Sequence, residues 1–295
     1  MKKLIGLSFL YIFLVNAGAQ DLDQLISKYT QENGKKYMQP LADGLGANFN
    51  SGLFHSAGIR KMGFQLYFGI ATTTAFVADK SKVFTAVPEG FFEPKNPVEV
   101  PTLFGASQNV IVNGNGGTQY AFPGGLNLKM FPLAMPQLTI GSVFGTDLTL
   151  RYLAIDINDE IGKVNLLGWG LRHSISQYFT KLPVELAAGV YNQYFDIGDI
   201  VSAKCWLFNV QASYRVSILT FYGALGYEKS ELDIEYTYIN EGEESTQKFN
   251  LKGSNNARLT AGVTFNFGFL KLNTDYSLAN QGVLTVGLGL GFGDK

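Results

Sequence analysis

From Gly63 onward, large apolar residues fall at every second position, the period of a β-strand, in which successive side chains point to opposite faces. Ten segments follow this rule. They are Gly63–Val77, Gln119–Met130, Gln137–Ile155, Val164–Gln177, Pro183–Phe195, Ala203–Arg215, Ser217–Tyr227, Ala257–Phe267, Phe269–Leu278 and the closing stretch Leu284–Phe292. In Ala203–Arg215, for example, Trp206, Phe208, Val210, Ala212 and Tyr214 stand opposite Leu207, Asn209, Gln211 and Ser213. In the closing stretch Leu284, Val286, Leu288, Leu290 and Phe292 alternate with Thr285, Gly287, Gly289 and Gly291. Only the N-terminal part departs from this pattern. DLDQLISKYTQ (Asp21–Gln31) carries Leu22, Leu25, Ile26 and Tyr29 at helical spacing behind a capping Asp21 or Asp23. A helix that short must pack on something to persist. YMQPLADGLGANFNSGLFHSAG (Tyr37–Gly58) reads as compact irregular structure.

Alternation alone does not say which face meets the core. Segment length, polar-face composition and loop length do. The segments reach the roughly 9–11 residues that cross a bilayer at a tilt. Their polar faces are mostly Gly, Ser, Thr, Asn and Gln, as in a lumen. Connections tend to alternate between long and short: Ala78–Thr118, Asp156–Gly162, Asp196–Ser202 and Glu228–Asn256 against Phe131–Pro136, Phe179–Leu182 and the turns near Val216 and Gly268, with Ala279–Gly282 a short exception. This predicts an all-β, antiparallel, up-and-down transmembrane barrel of about ten strands. Pro123 inside the second segment leaves eight open, and pairing within Ala78–Thr118 leaves twelve. With ten strands both termini fall in the periplasm. Tyr178, Phe179, Tyr194, Phe195, Tyr214, Tyr227, Tyr276 and Phe292 sit near segment ends, where interfacial girdles form.

Composition sharpens the class. Charged residues are 16% of the 295, aromatics 14%, and there are 34 glycines, whereas soluble domains carry about 25% charged residues. The net charge of −1 and the absence of a basic tract exclude a nucleic-acid partner. Lys2 and Lys3, the apolar Leu4–Val15 and the small-residue Ala17-Gly18-Ala19 form a secretory signal over residues 1–20. Residues 21–62 then read as an N-terminal plug and 63–295 as the barrel, placed in a bacterial outer membrane. The single cysteine, Cys205, forms no intramolecular disulfide.

Three stretches in order, YMQPLADGLGANFNSGLFHSAG, VPTLFGAS (Val100–Ser107) and FPGGLNLKMFP (Phe122–Pro132), resemble an uncharacterised family of outer-membrane barrels from Bacteroidota-type bacteria. The chain is also distantly similar to long-chain fatty-acid transporter barrels, whose N-terminal residues plug the lumen. That resemblance implies a plugged or gated channel for small hydrophobic molecules. The other reading is a structural or surface-interaction barrel without transport. Barrels of this kind commonly end on an aromatic residue, whereas here Phe292 is followed by Gly-Asp-Lys.

The expected lumen-facing charges are Asp147, Arg151, Arg172, Glu185, Arg215, Arg258, Lys271 and Asp275. Both signs occur, which reads as an ion-pair network bracing plug and wall; a selective pore shows one dominant sign. Gly287, Gly289 and Gly291 are expected to face the plug. Glu228–Asn256, with seven acids and three lysines, reads as a solvated loop, with divalent cations at the lipopolysaccharide surface as the alternative. No enzyme is expected: the adjacent His173 and Ser174 point to opposite strand faces. No metal spacing, phosphate cradle or cofactor motif is present. The expected partners are outer-membrane lipid, the outer-membrane assembly machinery and a small hydrophobic ligand.

Overall fold

The computed structural model describes residues 29, 31–158, 162–179, 181–240 and 243–293. The predicted signal segment 1–20 and, apart from Tyr29 and Gln31, the short helix predicted over 21–31 lie outside the described residues. The described chain starts with α1 (Gln31–Phe49). Fifteen strands follow: β1 (Met62–Phe76), β2 (Val83–Ala86), β3 (Val98–Pro101), β4 (Val110–Asn113), β5 (Gln119–Phe122), β6 (Met130–Val143), β7 (Thr146–Asn158), β8 (Gly162–Ser174), β9 (Glu185–Ile197), β10 (Val201–Val216), β11 (Leu219–Asn240), β12 (Glu243–Lys252), β13 (Ala257–Phe267), β14 (Leu270–Leu278) and β15 (Val283–Phe292).

Eleven strands form one antiparallel sheet; β12 pairs only with β11, and the other ten close into a ring. The seam is β1 on β15, from Leu66↔Phe292 to Ala75↔Val283. Outside the ring, Phe64, Phe68, Phe208, Leu225, Leu288 and Leu290 are half or more exposed, while the inward Thr73, Gln211, Thr264 and Thr285 are fully buried. An apolar exterior around a sealed interior is the arrangement of a membrane-spanning barrel. At one end the turns are short, such as Phe144–Gly145 and Ser217–Ile218. At the other end stand the 77–129 connection, with the hairpins β2–β3 and β4–β5, and the tall hairpin β11–β12. These are the short-turn and long-loop ends.

Several elements differ from the sequence reading, each for a physical reason. The second barrel strand is β6, not Gln119–Met130, whose first residues pair with Val110–Asn113 in the loop hairpin. The predicted strand Gln137–Ile155 contains a turn. Phe144 and Gly145 have φ of 51° and 71°, the positive values a tight two-residue hairpin demands. An apolar Phe144 in that turn continues the alternation and hides it. Phe131–Pro136 is therefore strand, not a short turn. Much of Glu228–Asn256 is sheet, because β11 runs on to Asn240 and returns as β12. The helix lies over Gln31–Phe49, with Gly34, Pro40, Gly44 and Gly46 inside it. These are poor helix formers, so packing holds the helix, and propensity gives no sign of it. Phe195 turns inward and meets the Phe49 ring at 4.9 Å, whereas Tyr178, Phe179, Tyr214 and Tyr227 stay on the exterior.

Candidate functional site

The lumen is filled by one continuous segment, Gln31–Lys61, in two stretches of different chemistry. The upper stretch is α1, 19 residues and about 28 Å long. Its glycines let wall side chains lie against the backbone. A Cβ on Gly34 would stand 2.6 Å from the Phe249 ring, and one on Gly44 would stand 2.8 Å from Phe131. Tyr37, Met38, Leu45 and Phe49 join Phe104 of the loop and Phe131, Leu166, Phe195, Cys205 and Leu232 of the wall in one buried apolar cluster. Tyr37 donates its hydroxyl to Gly124 O at 2.8 Å, and Leu103 N donates to Tyr37 O at 3.0 Å, tying the helix to the loop cap. Burial pushes the Tyr37 phenol up, so it remains a donor.

The lower stretch, Asn50–Lys61, runs through a polar interior. Arg151 on β7 is fully buried. Its Nη1 donates to Phe49 O at 3.1 Å, its Nη2 to Ser51 O at 2.8 Å and its Nε to Gln137 at 2.9 Å. Arg172 on β8 makes a two-pronged ion pair with Asp147 on β7 and donates to Ser56 O at 2.6 Å. Arg258 on β13 pairs with Glu228 on β11 and donates to Ala47 O at 3.0 Å and to the Ser51 hydroxyl. Three wall arginines thus hold carbonyls of the central segment. A planar guanidinium with five donors suits that task.

The remaining candidates divide. Lys271 reaches Asn266 at 2.9 Å and Asp275 accepts from the Tyr222 hydroxyl at 2.9 Å, both inside the wall. Glu185 is only half-buried, at the short-turn mouth, and Arg215 is exposed there, donating to Ser217 O at 3.3 Å. Arg215 lies too close to the turn to reach the interior. The three closing glycines face inward but not onto the plug. Gly289 lies under the Tyr67 ring, where a Cβ would stand 2.6 Å away, Gly291 under Lys271 and Gly287 under Asn273. The missing side chains make room for neighbours on the wall itself. Glu228 was readable as inward only by continuing the β11 alternation Thr220, Tyr222, Ala224, Gly226 past Tyr227. His173 points outward, with Nδ1 2.8 Å from Thr146 and Nε2 2.8 Å from Tyr178, while Ser174 is buried inside.

One part of the wall is not closed by hydrogen bonds. β6 and β7 pair from Val143↔Thr146 up to Gln137↔Arg151 and, among the described residues, no further. Yet β6 continues to Met130 along β1, and β7 continues to Asn158 along β8. Pro132 and Pro136 explain the break. A proline cannot donate, so in the β1–β6 ladder, continuous from Gln65↔Gly141 to Phe76↔Met130, the donors are Phe131, Leu133 and Met135, and the proline positions face β7. Of the three β6 positions facing β7 there, only Ala134 has an N–H. Immediately inside lie Phe131, Leu133, Met135 and the α1 end of the apolar cluster.

Solved structures similar in chain trace include the outer-membrane protease OmpT from Escherichia coli, at 9% identity and a TM-score of 0.36, covering 79% of this chain and 98% of that one. The toluene transporter TbuX of Ralstonia pickettii is similar at 8% identity and a TM-score of 0.22, covering 79% and 89%. The translocator domain of the autotransporter NalP from Neisseria meningitidis is similar at 12% identity and a TM-score of 0.24, covering 89% and 98%. No curated protein matches the sequence. A family described as of unknown function (DUF6588) matches residues 1–292, and the chain belongs to it.

Proposed function

We propose that the chain is a bacterial outer-membrane barrel, closed to water and ions by its own N-terminal segment, that admits small apolar molecules from the lipid between β6 and β7. The apolar exterior favours membrane residence. The 77–129 connection and the tall hairpin β11–β12, both at one end, favour that end as the outer face. The observation that carries the reading is the ladder break beside the apolar upper compartment, which packed side chains fill. Unpaired backbone groups are costly in hydrocarbon, and the two prolines remove two of those donors from the margin. The break lies just below the long-loop rim, where Phe76 and Tyr276 meet at 6.3 Å. The polar lower lumen gives an apolar molecule no continuation, so the compartment acts as a binding site or a gated passage.

The test pairs two measurements. In planar bilayers the purified protein shows no steady ion conductance; a steady conductance overturns the closed lumen. The small apolar fluorophore N-phenyl-naphthylamine binds the micellar protein, and Pro132→Thr with Pro136→Thr, which restores both donors, lowers that binding. Unchanged binding by a variant with wild-type heat-modifiable migration removes the lateral route. A second reading, a surface-interaction barrel without transport, is favoured by the hairpin β11–β12 above the ring. A cleft of about 330 Å³ opens there, lined by Asp199, Asp233, Glu235 and Lys248. Unchanged binding of the fluorophore favours this reading.

A further inference from the structure

We infer that the segment before β1 runs lengthwise through the barrel from the outer mouth to the inner one, so that the barrel presents the start of α1 at the outer face. The inference rests on the outer-membrane orientation proposed for the barrel. The contacts are ordered along the chain. At the outer cap, Asn33 donates to Val87 O at 2.8 Å and to Glu89 at 2.7 Å, and the Tyr29 ring meets Phe84 edge-on and lies tilted against Phe122. Gly34 then lies under Phe249, Gln39 donates to Lys252 O at 2.8 Å, and Asp43 accepts from Ser254 N at 2.8 Å, each partner one step closer to the start of β13. Ala47 O meets Arg258 at the top of β13, and Ser51 O meets Arg151 midway down β7. Below, His55 O accepts from Thr264 at 2.7 Å and Ala57 N donates to Ser213 at 2.9 Å, both near the short-turn end of their strands. Finally Lys61 O accepts from Gly145 N, in the short turn itself, at 2.8 Å.

A plug that entered from the inner end would have to turn back within the lumen, because β1 also starts at that end. Its contacts would then visit each level of the wall twice. The observed order descends once. The start of α1 and the end of β15 therefore lie at opposite faces of the ring. A chain delivered from the inner side reaches this arrangement only if the segment crosses before the ring closes, or as it does.

Cysteine labelling tests the inference, because the native Cys205 is buried and gives little background. Three variants are expressed in a Gram-negative host: E32C at the exposed start of α1, F91C in the exposed long connection and K181C in the ten-residue connection between β8 and β9 at the opposite end. Intact cells are treated with a maleimide too large to cross the outer membrane, with permeabilised cells as the reference. E32C and F91C label to the same extent in intact cells, and K181C labels only after permeabilisation. If F91C labels but E32C is protected until permeabilisation, the lengthwise path is wrong and the orientation stands. If K181C labels and F91C does not, the orientation itself is wrong. E32C lies on an exposed helix face, and heat-modifiable migration verifies that each variant is folded.

Discussion

The upper and lower halves of the lumen are built from the same ten strands yet work in opposite ways. In the lower half the inward positions are polar, as with Asp147, Thr149 and Arg151 on β7 or Asn209, Gln211 and Ser213 on β10. The segment they enclose is held by directional, charge-assisted bonds. In the upper half the inward positions on the same strands are apolar, as with Leu153 on β7 and Ala203 and Cys205 on β10. There α1 packs into the apolar cluster, with hydrogen bonds such as those of Tyr37, Gln39 and Asp43 along its length, and the wall beside it is partly unladdered. Directional bonds fix one position of the segment, whereas apolar packing tolerates exchange of one apolar group for another. Under the proposed function the barrel is therefore expected to be held more rigidly below and to be more open to exchange of apolar groups above.

The largest effect that would break this contrast is in the lower half. Asp147→Ala leaves Arg172 buried without its carboxylate. Loss of one partner of a buried pair costs about 3–5 kcal/mol, so the urea midpoint of the micellar protein falls sharply and bilayer conductance appears. A fall no larger than that of a surface substitution would show that the lower half is not locked. In the upper half, Phe49→Ala removes the ring against Phe195 and costs about 3 kcal/mol. Here N-phenyl-naphthylamine raises the variant's midpoint by more than the wild type's, because it fills the vacated volume. No added stabilisation would mean that the upper half does not exchange apolar groups. The smallest effect is outside both halves. A hydrogen bond from Lys82 holds the exposed Asp79 carboxyl below its usual range. The sign of the linkage follows: its contribution is present above the unfolded carboxylate value and lost as pH falls through the folded one. The pair is at the surface, so Lys82→Gln leaves the midpoint unchanged between pH 3 and pH 7. A resolved shift would indicate that the loop cap contributes to barrel stability.

The contrast also marks where the sequence is legible. Strands with one polar and one apolar face, such as β13 and β15, can be read almost to their ends. Where both faces turn apolar, at Leu166–Leu167 on β8 or Phe131–Pro136 on β6, period two fades and boundaries slip. There Pro132 and Pro136 look like turn residues, although they sit in a strand at an unpaired margin. The buried arginines and Asp147 were visible as polar-face charges, but the arginines' partners on the central segment were not. Those partners are backbone carbonyls of Ala47, Phe49, Ser51 and Ser56, to which any residue type contributes equally. The helix escaped notice because its glycines serve the wall's side chains at the expense of helix propensity.

The seam between β1 and β15 sets the timetable of folding. Its rungs join residues more than two hundred positions apart, from Ala75↔Val283 to Leu66↔Phe292. Contacts of such separation form late, because the loop-closure entropy must be met before they contribute. The ring therefore cannot be completed until the ten residues of β15 are made and aligned. Until then β1 and β15 are two exposed edges, open to any strand that can add to them. The final hairpin closes the barrel and at the same moment removes its two most adhesive surfaces.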